Sequence, residues 1–527
     1  MQRTMYADPR GIFLHDLVLE SCRRFPRKTA IVDTSCSRQL TYGEYGDIVE
    51  KLARGLSSAG IRPGDVVAIY LPNCWEFAAL YHAATLAGAI PTLINPSYRE
   101  REVRYQLEDS GAAVLISDAP LIAGMNLAGL PSLRRVYTTR TESPGAEPLS
   151  RVLEGGSMSA SGPDDSPDRC VAALPYSSGT TGLPKGVMLS HYNLVANVYQ
   201  LLVDIKDPTF TSEEVILGVL PMYHIYGLNV VLNPVLTTGA TLVLLPRFDL
   251  EQVARAVLTN RVTMTPVVPP MLNAFCIAAE RGLFPREHTV RWAKSGAAPL
   301  ASELAQRFTK LTGIPIVQGY GMTEASPVTH MGSKKPEFYR PESIGWEVAQ
   351  TECRIVDEHD NDVAENEPGE LVMRGPQFML GYWKSPDTTA AVLRDGWYWS
   401  GDVVRRDANG FYYILDRRKE MIKYKGFAVA PAEIESVLME HASVRDCGVV
   451  ARPDPAAGEV PCAFVVLREG YVQSEAMKSE LAGYVADRLA HHKQPREIIF
   501  VDSIPHTPSG KILRRELRRA FAAESKA

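Results

Sequence analysis

The sequence has few cysteines, and none of the eight is spaced like the ligands of a metal knuckle or like a redox pair. Scattered single cysteines are typical of reduced, mostly buried thiols and argue against a disulfide framework. No apolar run reaches the roughly 18 residues that a membrane-spanning helix requires. The polar residues 1–10 are not followed by the apolar core of a signal peptide. We therefore expect a cytoplasmic protein without a membrane span.

An excess of basic charge is also missing. Lys and Arg number 56 against 61 Asp and Glu, and the net charge of −5 argues against a nucleic-acid partner. The last three residues, Ser525, Lys526 and Ala527, match a peroxisomal Ser-Lys-Leu signal only in part, and we attribute the match to chance. A chain of 527 residues is too long for one core, so at least two domains are expected. The sequence leaves the oligomeric state open.

Apolar runs alternate with helical patterns through most of the chain. The apolar run at residues 66–71 is followed by a helical pattern at 75–87, and the run at 113–116 is preceded by one at 100–109. This order predicts sheets flanked by helices. Short strands with many turns follow, and the pattern of predicted strands and helices changes again near residue 416. We predict an α/β fold: a large N-terminal domain of βαβ-type sheets flanked by helices with a β-rich subdomain (residues 1–415), and a small α+β C-terminal domain (residues 416–527).

The densest local pattern is YSSGTTGLPKG at residues 176–186. Its glycines let several backbone N–H groups converge on one anion, its hydroxyls add donors, and its lysine adds a point charge. It is not a Walker A loop, because a glycine follows Lys185 and the glycine spacing differs. We therefore predict a phosphate-binding loop. Its predicted contacts are Ser177, Ser178, Gly179, Thr180, Thr181, Gly182 and Lys185.

A second pattern, QGYGMTE at residues 318–324, places an aromatic face, a hydroxyl and a carboxylate on a glycine-rich turn. A carboxylate near phosphates is repelled unless a cation lies between them. Glu324 therefore implies Mg²⁺ and is the predicted metal ligand. Small residues at 295–299, SGAAP, would let a flat ring approach the backbone closely.

These motifs, in this order, resemble those of the adenylate-forming superfamily of acyl-CoA synthetases, luciferases and peptide-synthetase adenylation domains. The resemblance runs from about residue 40 to Lys511. It implies ATP, Mg²⁺ and coenzyme A as cofactors and a small carboxylic acid as substrate. The acid would first be joined to AMP and then transferred to the thiol of coenzyme A. The loop at 176–186 would grip the β- and γ-phosphates of ATP.

The resemblance also implies the nucleotide contacts. Tyr320 would stack on adenine, Thr323 would bind the α-phosphate, and Asp402 with Arg417 would bind the ribose. Thr323, Glu324, His224 and Lys511 are the predicted catalytic residues. The remaining predicted contacts in this region are Gly296, Ala297, Ala298, Gln318, Gly319, Gly321 and Met322.

Two lysine segments lie in the C-terminal part of the chain. By the resemblance, Lys511 would lie between the attacking carboxylate and the α-phosphate, while Lys423, Lys425 and Gly426 would serve thioester formation. The two segments are too far apart to serve one active site in a single pose. The resemblance therefore implies rotation of the small domain about a hinge at Lys419.

The carboxylic acid substrate is the part of the reaction that the sequence determines least. No Asp or Glu occurs between residues 221 and 240, which disfavours an amino-acid substrate because its ammonium would lack a partner. The nearest branch by resemblance is that of coumarate–CoA and cinnamate–CoA ligases, with His224 as a gate. The implied acyl pocket comprises Tyr226, Val230, Lys294, Gly296, Gly319, Pro327 and Val328.

Val230 departs from the small polar residue that hydroxycinnamate enzymes tend to have at this position. Cinnamate, other aryl acids and medium-chain fatty acids therefore stay open, with Asn229 as a possible polar contact and the two pocket glycines as space for a ring. Two other acceptors also stay open: a carrier protein loaded by an acyl-AMP ligase, and oxygen in a luciferase-like monooxygenase. A non-catalytic nucleotide-binding module is disfavoured because Glu324 and Lys511 are both present.

Overall fold

The computed structural model describes residues 9–154, 162–177, 184–202, 210–285, 287–425, 427–454, 457–507 and 510–524. Its strands, in chain order, are β1 Thr29–Asp33, β2 Arg38–Thr41, β3 Val66–Tyr70, β4 Ile90–Leu93, β5 Ala112–Ser117, β6 Arg135–Thr138, β7 Glu147–Pro148, β8 Val171–Ala173, β9 Tyr176–Ser177, β10 Lys185–Ser190, β11 Val215–Gly218, β12 Thr241–Leu244, β13 Met264–Val267, β14 Trp292–Ser295, β15 Ile316–Gly321, β16 Val328–Met331, β17 Trp346–Glu347, β18 Glu352–Val356, β19 Gly369–Arg374, β20 Gly381–Tyr382, β21 Leu393–Arg394, β22 Trp397–Arg406, β23 Tyr412–Arg417, β24 Ile422–Tyr424, β25 Phe427–Val429, β26 Val444–Asp454, β27 Gly458–Leu467 and β28 Glu497–Phe500.

Helices connect most of these strands. The α-helices are α1 Leu14–Arg24, α2 Tyr42–Ser58, α3 Trp75–Leu86, α4 Glu100–Ser110, α5 Ala119–Ile122, α6 Ser150–Leu153, α7 His191–Leu202, α8 Asn233–Thr238, α9 Leu250–Thr259, α10 Pro269–Glu280, α11 Ser302–Thr312, α12 Pro386–Val392, α13 Pro431–Met439, α14 Glu475–Ala486 and α15 Arg514–Glu524. A π-helix spans Gly227–Leu232, and short 3₁₀ helices span Pro9–Gly11, Thr323–Ala325, Pro336–Phe338 and His491–Lys493. None of the described helices combines the length and the apolar character needed to cross a membrane.

Two sheets of the N-terminal part contain runs of parallel strands. One has the order β4-β3-β5-β6-β7 and is parallel throughout. The other has the order β17-β16-β15-β14-β13-β11-β12-β1-β2, in which β2, β16 and β17 pair antiparallel with their neighbours. Strand β3 is buried along its whole length, as expected for a parallel strand covered on both faces. The predicted α/β class is confirmed.

The β-rich segment forms an antiparallel sheet, β18-β19-β22-β21, with β23 paired to β22. β23 ends at Arg417, two residues beyond the predicted boundary at 415. Beyond it, β24 to β28 form a separate mixed sheet that carries α13, α14 and α15. This sheet has its own apolar core around Ile434, Val449 and Leu481.

The arrangement of β14 and β15 decides where the site lies. The two strands are parallel neighbours, with Ser295 opposite Gln318. Two of the predicted nucleotide segments, 295–299 and 318–324, therefore meet at the carboxyl ends of adjacent parallel strands. Ligands of open α/β sheets bind at this edge.

Candidate active site

The phosphate loop is the connection of a short β-hairpin. Ser177 on β9 pairs with Lys185 on β10, so both ends of the loop are held side by side. The Lys185 ammonium lies 5.7 Å from the ring centroid of Tyr382. The predicted contacts Ser178, Gly179, Thr180, Thr181 and Gly182 lie outside the described residues.

Glu324 lies directly against this hairpin. Its Oε1 accepts hydrogen bonds from the hydroxyl of Ser177 at 3.2 Å and from the hydroxyl of Tyr382 at 2.8 Å. Its carbonyl accepts the backbone N–H of Met379 at 2.8 Å. Burial and, after it, the charge of Glu324 raise the pKa of Tyr382, so this phenol stays a proton donor at neutral pH. The predicted metal carboxylate and the phosphate loop are thus in contact.

This donor set fits Mg²⁺. Mg²⁺ prefers oxygen ligands and is commonly held by one or two carboxylates together with substrate phosphates. Glu324 supplies such a carboxylate beside the loop. Within the described part of the chain, no three His, Cys, Asp or Glu side chains are grouped so that they could hold a metal by themselves. The substrate phosphates would therefore have to complete the coordination.

Asp402 joins the two segments predicted to bind the nucleoside. Its Oδ2 accepts a hydrogen bond from the Tyr320 hydroxyl, and its Oδ1 lies 3.0 Å from Nε of Arg417, its neighbour across β22 and β23. Burial and then Asp402 raise the pKa of Tyr320, and the charge of Asp402 raises that of Arg417. Each carboxylate oxygen keeps a second lone pair, so ribose hydroxyls can still be accepted.

The turns after β14 and β15 place the other predicted nucleotide contacts. Ala297 is exposed with φ of 70°, and Ala298 is half-buried. Gly321 needs to be glycine, because a Cβ there would lie 2.0 Å from the carbonyl oxygen of Pro327. Gln318 is buried, and its amide donates to the Pro341 carbonyl at 2.6 Å. Its side chain therefore orders the surrounding loop. Met322 and Thr323 are half-buried beside it.

Lys511 reaches this region from the far end of the chain. The preceding residue is in close contact with α10, since a Cβ on Gly510 would lie 2.6 Å from Cδ of Pro270. Burial, followed by the charge of Arg417, lowers the pKa of Lys511 to about 8, and Asp402 partly opposes the shift. Lys511 is therefore close enough to the Asp402–Arg417 pair to interact with it electrostatically.

The second lysine segment lies at the protein surface. Lys423 on β24 and Lys425 in the following turn are exposed. Lys425 adopts φ of 47°, and Gly426 lies outside the described residues. Lys419 is exposed in the turn that follows β23, where the backbone N–H groups of Glu420 and Met421 both donate to the Arg417 carbonyl.

The predicted acyl-pocket residues are buried together. The Tyr226 hydroxyl donates to the Lys294 carbonyl at 2.8 Å, and its ring lies over Gly296, where a Cβ would be 2.9 Å from Cε1. The Lys294 side chain lies over Gly319, with its ammonium 3.0 Å from Sδ of Met331. Both glycines thus make room for side chains of the protein itself, which corrects the expectation that they leave a flat space for a ring. Val230, Pro327 and Val328 complete the buried group.

His224 is a neutral histidine at the start of the segment that carries Tyr226. Its Nδ1 accepts the backbone N–H of Tyr226 at 3.2 Å, so the proton of the neutral ring lies on Nε2. Burial lowers the pKa of His224 to about 4. A neutral ring whose Nε2–H has no hydrogen-bond partner among the described residues suits a carboxylate or a phosphate oxygen better than a second cation.

Asn229 does not offer a polar contact to the acid, which corrects that expectation. Its Nδ2 donates to the carbonyls of Ser326 at 2.6 Å and Leu194 at 3.2 Å, and its Oδ1 accepts from Asn233 at 2.7 Å. Asn229 is fully buried. Its amide holds the π-helix to the segment that follows Glu324.

A buried chain of hydrogen bonds continues from Asn229 away from the pocket. Asn233 accepts at Oδ1 from Nε2 of His82 at 3.0 Å, and Nδ1 of His82 accepts from the Tyr45 hydroxyl at 2.7 Å. Because carbonyls only accept, the Ser326 carbonyl fixes the bond directions as far as His82, whose Nε2–H donates to Asn233. Burial lowers the pKa of His82 to about 4, so the ring is neutral and its Nδ1 accepts from the Tyr45 hydroxyl.

The sequence did not identify these supporting residues. Tyr382, which donates to Glu324, lies in the short strand β20 about 200 residues from the phosphate loop. His82 and Asn233 lie in apolar helices, where a polar side chain is usually satisfied locally. The signal that could have found Asn233 is its spacing of four residues from Asn229 in an apolar segment, which places the two amides on one helix face.

Comparison with known proteins identifies the family of the chain. The family described as "AMP-binding enzyme" matches residues 18–383, and "AMP-binding enzyme C-terminal domain" matches residues 433–511. A 4-coumarate–CoA ligase of Pinus taeda is 39% identical, over 97% of this chain and 95% of that protein. 4-Coumarate–CoA ligase 1 of Arabidopsis thaliana is 37% identical, over 98% and 93%.

Solved structures also match the chain over nearly its whole length. An anthranilate CoA ligase in complex with anthranoyl-AMP superposes with a TM-score of 0.89 at 25% identity, over 98% of this chain and 99% of that one. A benzoate CoA ligase from Burkholderia xenovorans LB400 gives a TM-score of 0.86 at 27% identity, over 96% and 100%. The predicted family is confirmed: the chain belongs to the AMP-binding enzymes.

Proposed function

We propose that the protein is an AMP-forming carboxylic acid–CoA ligase whose acid is an aryl acid. ATP, Mg²⁺ and coenzyme A are its cofactors. The observation that supports the proposal is that Lys511 interacts electrostatically with Asp402 and Arg417, although it lies 94 positions beyond Arg417 in the chain. A lysine at this place would bring the anionic acid to the α-phosphate.

In the first half-reaction, a carboxylate oxygen of the acid forms a bond to the α-phosphorus of ATP, and pyrophosphate leaves. We assign Lys511 and Thr323 to the oxygens on which charge builds, and Lys185 with the loop to the leaving pyrophosphate. Glu324 would hold Mg²⁺, which neutralises phosphate charge when bound. Asp402, Arg417 and Tyr320 would hold the nucleoside.

In the second half-reaction, the coenzyme A thiol gives up its proton and attacks the acyl carbon, and AMP leaves. We assign Lys423, Lys425 and Gly426 to the face that admits the thiol. We further propose a division into domains at 415/416, with Lys419 as the hinge. Support for the hinge comes from its exposed turn, which lies immediately beyond the last residue of β23.

An aryl acid is favoured by the character of the pocket. Tyr226, Val230 and Val328 belong to one buried apolar cluster, and Asn229 is committed to the protein. The named relatives are coumarate–CoA ligases, and two similar structures are ligases of benzoate and anthranilate. An apolar Val230 favours a ring without a hydroxyl at this position.

One assay tests this proposal. The enzyme, ATP and Mg²⁺ are mixed with cinnamate, coumarate, benzoate and octanoate, with and without coenzyme A, and pyrophosphate and thioester are measured. We expect pyrophosphate and a CoA thioester with at least one aryl acid. Pyrophosphate without a thioester would instead indicate a carrier-protein or oxygen acceptor. No pyrophosphate with any acid would contradict the proposed reaction.

We also propose a cytoplasmic location. All eight cysteines are free thiols, five of them buried, which suits a reducing compartment.

A further inference from the structure

Both ring nitrogens of His506 face hydrogen-bond acceptors. Nε2 lies 2.9 Å from Oδ2 of Asp446, and Nδ1 lies 3.1 Å from the carbonyl oxygen of Gly510. A carbonyl oxygen can only accept, and an ionised carboxylate can only accept. A neutral imidazole has one N–H and satisfies one of these contacts. The imidazolium satisfies both.

His506 lies at the start of the turn that presents Lys511. His506 bridges to Ile512 across the turn. The backbone N–H of Thr507 donates to the Lys511 carbonyl at 2.8 Å, and the Lys511 N–H donates to the Thr507 hydroxyl at 3.0 Å. The bond from His506 to Gly510 therefore closes the same turn, and the bond to Asp446 ties it to β26.

We propose that protonated His506 is a positioning residue for Lys511: it clamps the turn to Asp446, and the clamp opens when the imidazolium loses its proton. The inference rests on the role of Lys511 in the proposed function. It adds a residue that does not touch the substrates and makes the placement of Lys511 depend on pH.

The groups around His506 favour its protonated form. The hydrogen bond to Asp446 raises the pKa of His506 above its ordinary value of 6.5, burial opposes this, and the charge of Asp446, the Gly510 carbonyl and Glu435 on α13 add to the rise. Glu435 is itself paired with Arg514 at 2.7 Å. Because the folded-state pKa is raised, the clamp is closed at low pH and is lost as the pH rises through that pKa.

The test compares four proteins: wild type, His506→Gln, His506→Lys and Asp446→Asn. The rate of acid-dependent ATP–pyrophosphate exchange is measured at each pH, and the transfer of preformed acyl-adenylate to coenzyme A is measured in parallel. At each pH the exchange rate of wild type is divided by that of the variant. The titration of Lys511 affects both rates and therefore cancels in this ratio. Circular dichroism melts verify that each variant is folded.

We expect wild type to exceed His506→Gln by about tenfold near pH 6, which corresponds to one hydrogen bond from a charged group, and the ratio to approach one as pH rises. His506→Lys, which can donate to both acceptors while charged, should restore exchange and extend it to higher pH. Asp446→Asn keeps an acceptor but removes the charge, so the pH at which the clamp opens should be lower. The transfer rate should be unchanged in all three variants.

A ratio that is constant with pH, or equal exchange by wild type and His506→Gln near pH 6, would overturn the inference. Lys511→Ala separates this from the proposed function. If Lys511→Ala loses exchange while the His506 ratio stays constant, the clamp alone is wrong. If Lys511→Ala exchanges as fast as wild type, the assigned role of Lys511 is wrong as well.

Discussion

The Ser177 hydroxyl donates a 3.2 Å hydrogen bond to the carboxylate of Glu324, a residue 147 positions further along the chain. The bond joins the phosphate loop to the carboxylate that fits Mg²⁺. It therefore holds the predicted metal ligand against the start of the predicted phosphate loop.

Glu324→Gln should therefore impair adenylation by removing the metal's protein ligand while keeping the acceptor for Ser177 and Tyr382. We expect pyrophosphate release to fall by about 10²-fold or more, as for other groups that stabilise transition-state charge, and to need more Mg²⁺. The measurement is a Mg²⁺ titration of the initial rate. Tyr382→Phe, which removes only a donor to Glu324, is the matched control and should lose much less. An unchanged Mg²⁺ dependence in Glu324→Gln would argue that the metal is held elsewhere.

The pKa of about 8 at Lys511 predicts a pH dependence of adenylation. The cation is the useful form, so the rate should fall as the pH rises through about 8. Lys511→Arg keeps its charge and should abolish the part of the fall near pH 8, leaving the part that is due to His506. Lys511→Ala should lose roughly 3 kcal/mol of transition-state stabilisation.

The control for this prediction is Lys423→Ala. That lysine is exposed on β24, and we expect its variant to adenylate as wild type does and to be impaired only in thioester formation. A rate that does not fall near pH 8 in the wild type would contradict the assignment of the titrating group.

Lys419→Pro should separate the two half-reactions. Proline restricts the backbone dihedral φ, so the domain should stay in the pose described here, in which Lys511 interacts electrostatically with Asp402 and Arg417. Pyrophosphate release should persist, whereas thioester formation from preformed adenylate should fall. Lys419→Ala is the control that keeps backbone freedom. Equal loss of both half-reactions in the proline variant would remove the hinge proposal.

Asn233→Leu should destabilise the large domain. It leaves Nε2 of His82 and Oδ1 of Asn229 without partners in a buried site, and each unpaired group costs about 1–3 kcal/mol. The midpoint of urea unfolding should fall clearly. Thr237→Val, on the same helix, is the control, since among the described residues the Thr237 hydroxyl is buried without a hydrogen-bond partner. A similar midpoint for the two variants would show that the buried chain is not stabilising.

Val230→Thr should shift the selectivity toward hydroxylated rings. The two side chains have nearly the same shape, so the change adds a hydroxyl to a buried apolar wall without altering its volume. We expect the kcat/KM for coumarate to rise relative to that for cinnamate by roughly tenfold, as for one buried hydrogen bond to substrate. Val328→Thr, the same substitution at another position of the pocket, is the control. An equal shift in both variants would indicate a general polarity effect.

The sequence by itself determined the family, the α/β class and the order of the motifs, because these depend on local patterns: glycine and hydroxyl density in the phosphate loop, and apolar periodicity in the strands. It also identified Glu324, Asp402 and Lys511 as chemically suitable groups. The tertiary structure decided which of them meet. Ser177 with Glu324, Tyr320 with Asp402, and Lys511 with Arg417 are brought together by the pairing of distant strands and by the contact of Gly510 with Pro270.

The tertiary structure also decided the roles of the buried polar groups. Asn229 reads in the sequence as a possible substrate contact, but its donors and acceptor are satisfied by Ser326, Leu194 and Asn233. Gly296 and Gly319 read as open space, but Tyr226 and Lys294 occupy it. Whether a buried group is available to a ligand depends on which partners surround it in three dimensions, and a pattern along the chain does not contain that information.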